Sequence, residues 1–399
     1  MLIQCIRVKR NFYKLLIAII ALALITIKNF GQSTNTVQAD GSRVNSILTA
    51  VPFLLIVPQG RSGSMGNSGV AIDADGNSSV LNSSAMAFLP EAAYGVSLSY
   101  SPWLKNLVPD ISLSYLSGYY RLNDRNTLGA SLRYFSIGNV QFTDNNSQSL
   151  GISNPSEWAA DISYARSFGP EFSLGGSLRY ISSNLFSGQS LAVGQIEPGR
   201  AIAVDISGLY RKNGFVFGGP VIWSAGINLS NIGTKISYST GGAPYFLPSN
   251  LRIGSAATFL GNGSRLIFAF DLNKLMVPTQ PLYDRNGNIV KGRDPERSVP
   301  SGIFGSFSDA PGGVSEELKE VGISTGFEYC YMEQFSFRAG YNYQNPEKGN
   351  SSYFTLGAGF KYNILSIDFA YLLSSTSRSP LANTLRFGLQ ANFGKKSGN

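Results

Sequence analysis

Residues 354–362 read Phe354-Thr355-Leu356-Gly357-Ala358-Gly359-Phe360-Lys361-Tyr362. Side chains alternate along a strand, so Phe354, Leu356, Ala358, Phe360 and Tyr362 share one face while Thr355, Gly357, Gly359 and Lys361 share the other. One face suits lipid and the other a polar lumen. Ile323, Thr325, Phe327, Tyr329 and Tyr331 repeat the pattern against Ser324, Gly326 and Glu328, as do Leu385, Phe387, Leu389, Ala391 and Phe393 against Arg386, Gly388 and Gln390. Helical periodicity fits none of them. A soluble β-sandwich also alternates, so one segment decides little. Between residues 93 and 393, however, about fourteen such units recur, with connections that alternate short and long. This is the signature of an all-β fold, a transmembrane antiparallel β-barrel of about 14 strands.

Strands are expected to begin near Ala93, Asp110, Thr127, Glu157, Glu171, Arg200, Gly219, Ser249, Ser264, Glu317, Gln334, Ser352, Leu365 and Asn383. Connections after the even-numbered strands are tight: Asn123-Asp124, Gly169-Pro170, Asn213-Gly214, Gly261-Asn262-Gly263, Met332-Glu333 and Asn363-Ile364. Most odd-strand connections are longer, the largest running from about Leu275 to Glu316. In bacterial barrels the periplasmic turns are short, the outside loops long and the strand count even. The expected placement is therefore the outer membrane, with N- and C-termini periplasmic.

If each hairpin pairs symmetrically about its turn, inward charges meet their opposites. Asp161 then faces Arg179, Arg252 faces Asp271, Glu328 faces Arg338 and Lys361 faces Asp368. Across longer loops Arg133 would face Asp161, Arg179 would face Asp205 and Asp368 would face Arg386. Five inward acids against six inward bases read as cross-strand bracing, not as an ion path of one sign. Charges scattered in the lumen and solvated by water are the alternative.

Composition agrees with a membrane barrel. Charged residues make up 14% of the chain, against roughly 25% in soluble domains. After residue 31 no apolar run approaches the roughly twenty residues of a membrane helix. The N-terminus carries Arg7, Lys9, Arg10 and Lys14, an apolar stretch from Leu15 to Ile27, and Gly31 before Gln32. Residues 1–31 therefore read as a signal peptide, with a short membrane anchor as the alternative. Cys5 precedes the apolar stretch, the wrong place for a lipoprotein anchor. Cleavage removes five bases and no acid, taking the formal charge from +8 to +3. It also leaves Cys330 as the only cysteine, so no intrachain disulfide can form. No dense Lys/Arg stripe remains, and nucleic-acid binding has no support.

Residues 32–91 form an N-terminal hatch segment, 92–394 the barrel and 395–399 a C-terminal tail. Within the hatch, residues 47–58 are too apolar to hang free and too broken by Pro52 and Pro58 to span as a helix. They are expected to pack in the barrel mouth or against a partner. Gly60-Arg61-Ser62-Gly63-Ser64-Met65-Gly66-Asn67-Ser68-Gly69 matches neither the phosphate-binding loop nor the dinucleotide fingerprint, and no Lys follows, so a close-packed plug is the better reading.

Pro52-Phe53-Leu54, Pro58, Arg61, Met65-Gly66, Gly69-Val70-Ala71, Asp73, Asp75, Leu81-Asn82 and the exit Tyr100-Ser101-Pro102-Trp103-Leu104 resemble the PorV family. These are outer-membrane barrels of the type IX secretion system of Bacteroidota, within the wider FadL-like group. The resemblance covers essentially the whole mature chain, and its specific motifs lie in residues 50–104. Phe53, Arg61, Met65 and Asn82 are the hatch residues it marks. Asn82-Ser83-Ser84-Ala85 departs from the Asn-Pro-Ala often found in the wider group, and Phe393 is followed by six residues where many barrels end. The resemblance implies a non-enzymatic carrier that receives the C-terminal signal domain of secreted cargo from the SprA translocon and passes it to a PorU-type sortase complex. The alternative is a FadL-like channel for hydrophobic small molecules, and a third reading is a purely structural barrel within a larger assembly. As a carrier it would use its outside loops. Tyr245 and Phe246, beside Gly241, Gly242 and Pro244, and Tyr283, Phe304 and Phe307 in the longest loop are the aromatic contact candidates.

The chain has no histidine, which removes His-based triads, His acid/base pairs and His-ligated metal sites. Asp73-Ala74-Asp75-Gly76-Asn77 and Asp284-Arg285-Asn286-Gly287-Asn288 resemble calcium loops only faintly. Their glycine falls at the fourth position and no Glu occupies the twelfth, so both read as turns. Cys330 alternates inward as a small packing residue. No catalytic residue, metal or cofactor is expected, and outer-membrane lipid is the expected surround.

Overall fold

In a β-barrel every backbone polar group must find a partner within the wall, because lipid supplies none. The computed structural model meets that demand by closure. It describes residues 45–89, 92–103, 110–143, 149–185, 197–239, 242–284, 286–349, 351–374 and 384–394. The expected signal peptide (1–31), the first part of the hatch (32–44), Leu104, Gly241 and the tail (395–399) lie outside the described residues.

Fourteen strands form the barrel: β1 (Ala92–Pro102), β2 (Ser112–Arg121), β3 (Asn126–Ser136), β4 (Ser156–Ser167), β5 (Phe172–Asn184), β6 (Gly199–Val216) and β7 (Gly219–Gly233), then β8 (Asn250–Gly261), β9 (Ser264–Leu275), β10 (Gly322–Tyr331), β11 (Phe335–Tyr343), β12 (Tyr353–Tyr362), β13 (Leu365–Ser374) and β14 (Thr384–Gly394). Each is antiparallel to its sequence neighbours, and β1 pairs with β14 to close the wall. Among the described residues no helix is long and apolar enough to cross a membrane.

Alternation is inside-out relative to a soluble protein. Along β1, Tyr94, Val96 and Leu98 are 48, 51 and 53% exposed, while Ser97 and Ser99 are 3 and 1% exposed. Phe354, Leu356 and Phe360 of β12 likewise point outward and Thr355 inward. Apolar rings face lipid, and hydroxyls, amides and charges face the lumen.

Two boundaries differ from the sequence reading. The turn between β6 and β7 is Phe217-Gly218, not Asn213-Gly214. The left-handed φ values that a two-residue hairpin needs occur at Phe217 (52°) and Gly218 (78°), while Asn213 and Gly214 pair with Ile222 and Val221 inside the ladder. The tenth strand begins at Gly322 and not near Glu317. Residues Val314–Lys319 form a short helix, α3, with Glu316 and Glu317 in its first turn, where acidic side chains complement the helix dipole. The long connection after β9 also holds a helix, α2 (Val299–Gly305), and a small hairpin, Leu282–Tyr283 against Ile289–Lys291. A second small hairpin, Val140–Thr143 against Ser149–Ser153, sits in the connection after β3.

The hatch runs along the lumen. Asn45 is bonded at the long-loop end, to the carbonyls of Gln280 and Glu347. At the tight-turn end the Leu89 carbonyl accepts from Arg121 at the close of β2. Between them lie a 3₁₀ turn (Pro52–Leu55), a single helical turn, α1 (Gly60–Gly63), and 3₁₀ turns at Ser78–Val80 and Ser83–Phe88. The even strand count does bring Ala92 and Gly394 to one end, but the described hatch starts from the other.

Inward glycines make room for this plug. A Cβ on Gly340 would overlap the backbone of Met65 and Gly66, and one on Gly226 would overlap the Val70 carbonyl.

Candidate functional site

The lumen is where side chains from distant parts of the chain converge. Arg61, on α1, is its hub. Its Nε and Nη2 donate to the two carboxylate oxygens of Glu328 at 2.9 and 3.0 Å. Nη2 also donates to Asp73 at 2.7 Å, and Nη1 meets Asp75 at 3.3 Å. Glu328 in turn accepts from Arg338 Nε at 2.6 Å, and Arg338 Nη1 reaches Asp368 at 2.6 Å. Arg265 closes the other end on Asp73 at 2.7 Å. The network joins the plug to β9, β10, β11 and β13.

Burial works against ionising Asp73, yet Arg61 and Arg265 overcome it and hold its carboxyl below the ordinary range. Asp75 is pushed up by burial, which its single longer contact to Arg61 does not offset. Both aspartates of the 73–77 segment are thus committed to arginines or to turn amides, the Asn77 N–H binding Asp75 at 2.8 Å. Among the described residues no group of three or more metal-ligating side chains is found. Asp284 likewise accepts the amides of Asn286 and Asn288 as an ordinary turn.

A second cluster sits on β4, β5 and β6. Asp161 and Arg179 are direct cross-strand partners, bonded at 2.5 Å, and Asp205 meets Arg179 at 3.0 Å. In a third, Asp271 accepts from Arg252 at 3.3 Å and from the backbone amides of Gly69 and Val70 at 2.8 and 3.1 Å.

The pairing scheme read from the turns holds directly for Asp161 with Arg179 and Glu328 with Arg338. Elsewhere the register is shifted by two residues, which preserves the face but changes the neighbour. Arg252 stands opposite Asn273 and Arg179 opposite Ala203; both still reach their expected aspartates diagonally, as long side chains can. Lys361 stands opposite Ser366, and Asp368 takes Arg338 instead. Arg133 is opposite Ala159 and donates to the carbonyls of Phe53, Leu54 and Ile56, not to Asp161. Arg386 is opposite Ala370, away from Asp368. The part played by Arg61, Asp73 and Asp75 in the ion pairs was missed. Their one sequence signal was a buried-looking segment that contains both signs of charge.

The other hatch residues are equally fixed. Phe53 is buried among Ala159, Ile181, Ala201 and Leu247 and stacks on Phe135 at 6.1 Å. Met65 packs with Val70, Ala256 and Ile267. Asn82 caps the turn at Ser84 and donates to the Val70 carbonyl at 2.6 Å. Within the apolar stretch 47–58, Ala50, Val51, Phe53, Leu54 and Val57 are buried.

Two cavities, at opposite ends of the lumen, share no lining residue. One of about 510 Å³ opens at the tight-turn end beside Arg61, Glu333 and Lys361. The other, about 360 Å³, opens at the long-loop end.

Over that end folds the connection 276–321. Lys274 pairs with Glu317 and Glu320 at 2.9 and 2.6 Å, and Lys348 pairs with Glu316 and Glu320. Asn45 of the hatch also donates to Glu316. Burial acts to raise the Glu316 carboxyl, but the Lys348 ammonium and the Gly312 amide outweigh it and hold the pKa below its usual value. Of the aromatic contact candidates, Phe304 is 78% exposed and Tyr245, Tyr283 and Phe307 are about half exposed. Phe246 is the exception. It is 8% exposed, because Gly302 of the long connection closes over its ring.

Residues 38–282 match the family described as Type IX secretion system protein PorV. The chain belongs to the PorV family. It is therefore an outer-membrane β-barrel component of type IX secretion. Among solved structures, the P. putida toluene transporter TodX aligns with a TM-score of 0.52 at 14% identity, over 84% of this chain and 98% of that one. A Pseudomonas aeruginosa FadL homologue aligns with a TM-score of 0.43 at 11% identity, over 88% of this chain and 99% of that one. No curated protein matches. At 14% identity the likeness of this PorV-family chain to TodX concerns the barrel fold alone.

Proposed function

We propose that this PorV-family barrel is the non-enzymatic carrier of type IX secretion. It receives the C-terminal signal domain of secreted cargo from the SprA translocon and hands it to the PorU-type attachment complex at the cell surface. The tight turns face the periplasm and the long loops face outward. Cargo is held on the long-loop face, with Tyr245, Tyr283, Phe304 and Phe307 as contact aromatics.

The observation that carries this reading is the family match on a barrel that holds part of its own chain, residues 45–89, in the lumen. A buried network of three arginines and four carboxylates binds plug to wall, which favours work at the loops over conduction. Affinity purification of the native protein tests it. Recovery of cargo bearing C-terminal signal domains, or of SprA, supports the carrier, and normal secretion after deletion of the gene defeats it.

Uptake of hydrophobic small molecules is the second reading, favoured by the two cavities and by the fold shared with a toluene transporter. It needs a continuous apolar path, and the Arg61 network lies across that route. Recovery of lipid or fatty acid alone in the same purification would support it.

A further inference from the structure

At the tight-turn end one strand outruns its neighbour. β6 continues to Val216 against β7, but the ladder of β5 ends at Phe172, opposite Tyr210. Just past that point the Arg211 N–H still reaches the Glu171 carbonyl at 2.7 Å. Lys212–Val216 then has no strand on its β5 side among the described residues. Peptide groups turn to alternate sides along a strand, so the N–H and C=O of Asn213 and Phe215 face the open side as those of Arg211 do. At about 3.3 Å per residue the free edge is about 16 Å long.

Closure spares a barrel from pairing with other chains, and edges left open are ordinarily blunted by proline, a bulge or several charges. Here the register is regular from Ile206 to Val216, and Lys212 is the one charge in Lys212–Val216.

The tip of this hairpin is also apolar. Phe215 is 81% and Phe217 79% exposed, more than any other large apolar side chain among the described residues. Lipid does not account for Phe215. It continues the lumen-facing series Asp205, Ser207, Leu209 and Arg211, and its cross-strand partner Pro220 shares that face. The lipid-facing series of the same strand carries Tyr210 and Lys212, opposite Ala225 and Trp223. Arg211 borders the cavity of about 510 Å³, so the apolar face of the tip is turned toward that mouth and not toward the bilayer.

Together these features select the occupant. Main-chain groups left open in the plane of the wall call for an added strand, and alternate side chains of that strand need apolar ground to rest on. The place beneath the β4–β5 turn is the one β5 would take if it continued. Charge adds a preference: Arg211, Lys212 and Glu171 of the neighbouring turn leave one positive charge, which favours a strand bearing an acid.

We infer that the free edge of β6, Lys212–Val216, is a docking strand. An extended, acid-bearing segment of another protein adds to it where β5 stops, with its apolar side chains on Phe215 and Pro220. This site lies at the end of the barrel opposite the long loops, and it stands or falls apart from the carrier reading.

The test uses the full-length barrel in nanodiscs and a dye-labelled heptapeptide of alternating valine and glutamate, capped at both ends, read by fluorescence anisotropy. Binding should saturate. Asn213→Pro removes an edge N–H without touching the ladder to β7, a place where an edge strand tolerates proline, and should weaken binding at least about tenfold. Asn213→Ala keeps that N–H and should bind as wild type does. Phe215→Ser should weaken binding several-fold. If Asn213→Pro does not fold, the N-methylated heptapeptide, which has no N–H to donate, decides on the unmutated wall: it should bind at least about tenfold more weakly. Absence of saturation, or equal binding of the methylated and unmethylated peptides, would overturn the inference. Quenching of a bimane on Phe217→Cys by brominated phospholipid, in a Cys330→Ser background, would place the tip in the bilayer and overturn it too. A dimer of barrels that Asn213→Pro abolishes and the peptide cannot dissociate would give the edge to a second copy, with the same result.

Discussion

Arg61 and Glu328 are 267 residues apart in sequence, and the guanidinium of one grips both carboxylate oxygens of the other. That contact fastens plug to wall. Removing one partner from a buried ion pair costs about 3–5 kcal/mol, because the other charge is left uncompensated. Arg61→Ala should therefore release the hatch while leaving the barrel closed. Maleimide labelling of Ser62→Cys, buried in the native protein, checks it: labelling should rise at least tenfold in the Arg61→Ala background. Unchanged labelling would mean that packing alone holds the plug.

Register decides which charges couple. Arg338 and Asp368 meet at 2.6 Å, whereas Lys361 stands opposite Ser366. A double-mutant cycle should give about 0.5–3 kcal/mol for Arg338 with Asp368. The cycle for Lys361 with Asp368 should fall within error of zero, read from chemical denaturation of the refolded barrel.

Gly340→Val should separate plug from wall by sterics, without touching a charge. The added side chain meets backbone at Met65 and Gly66, and such overpacking costs about 1–3 kcal/mol or more. The barrel should still show the electrophoretic mobility of a folded wall, with residues 45–89 now open to protease. A variant as resistant as wild type would show that the plug can shift aside.

The cap over the long-loop end should loosen in acid. Glu316 titrates below its ordinary value when folded, so its contribution is present above the unfolded pKa of about 4.3 and is lost as pH falls through the lower folded value. Asp309, pushed up mainly by burial, works in the opposite sense. Hydrogen exchange across 314–321, normalised to intrinsic rates, should rise below about pH 4 in wild type. Lys348→Met should weaken that dependence, because it removes the ammonium that Glu316 shares with Glu320. A profile that Lys348→Met leaves unaltered would assign the acid sensitivity elsewhere.

If the long-loop face holds cargo, its exposed aromatics carry much of the affinity. Phe304→Ser with Phe307→Ser should weaken capture of a purified cargo signal domain by about 2 kcal/mol or more, roughly thirtyfold, as for interface anchors elsewhere. Barrel stability should change little, since the Phe304 ring is 78% exposed and the Phe307 ring about half exposed. Phe246→Ser should instead destabilise the cap. Equal capture by wild type and the Phe304/Phe307 variant would move the contact surface away from this loop.

The sequence by itself determined the barrel, its count of about fourteen strands and the alternation of lipid-facing and lumen-facing side chains along them. Period-two alternation is a local property, and turn residues punctuate it every few residues. It missed the β6–β7 turn by four residues because Asn213-Gly214 has turn chemistry but sits in a strand, while the bulky Phe217 takes the left-handed φ. Which charges pair was settled only by tertiary structure. A two-residue shift leaves every side chain on its face yet replaces Lys361 by Arg338 as the partner of Asp368. The place of the plug was beyond local reading too. Arg61 meets β10 and Asp73 meets β9 only after the chain has closed on itself, and Phe246 is buried only because the long connection folds back over it. The two contacts to the wall span 267 and 192 positions, and no pattern within a strand encodes them.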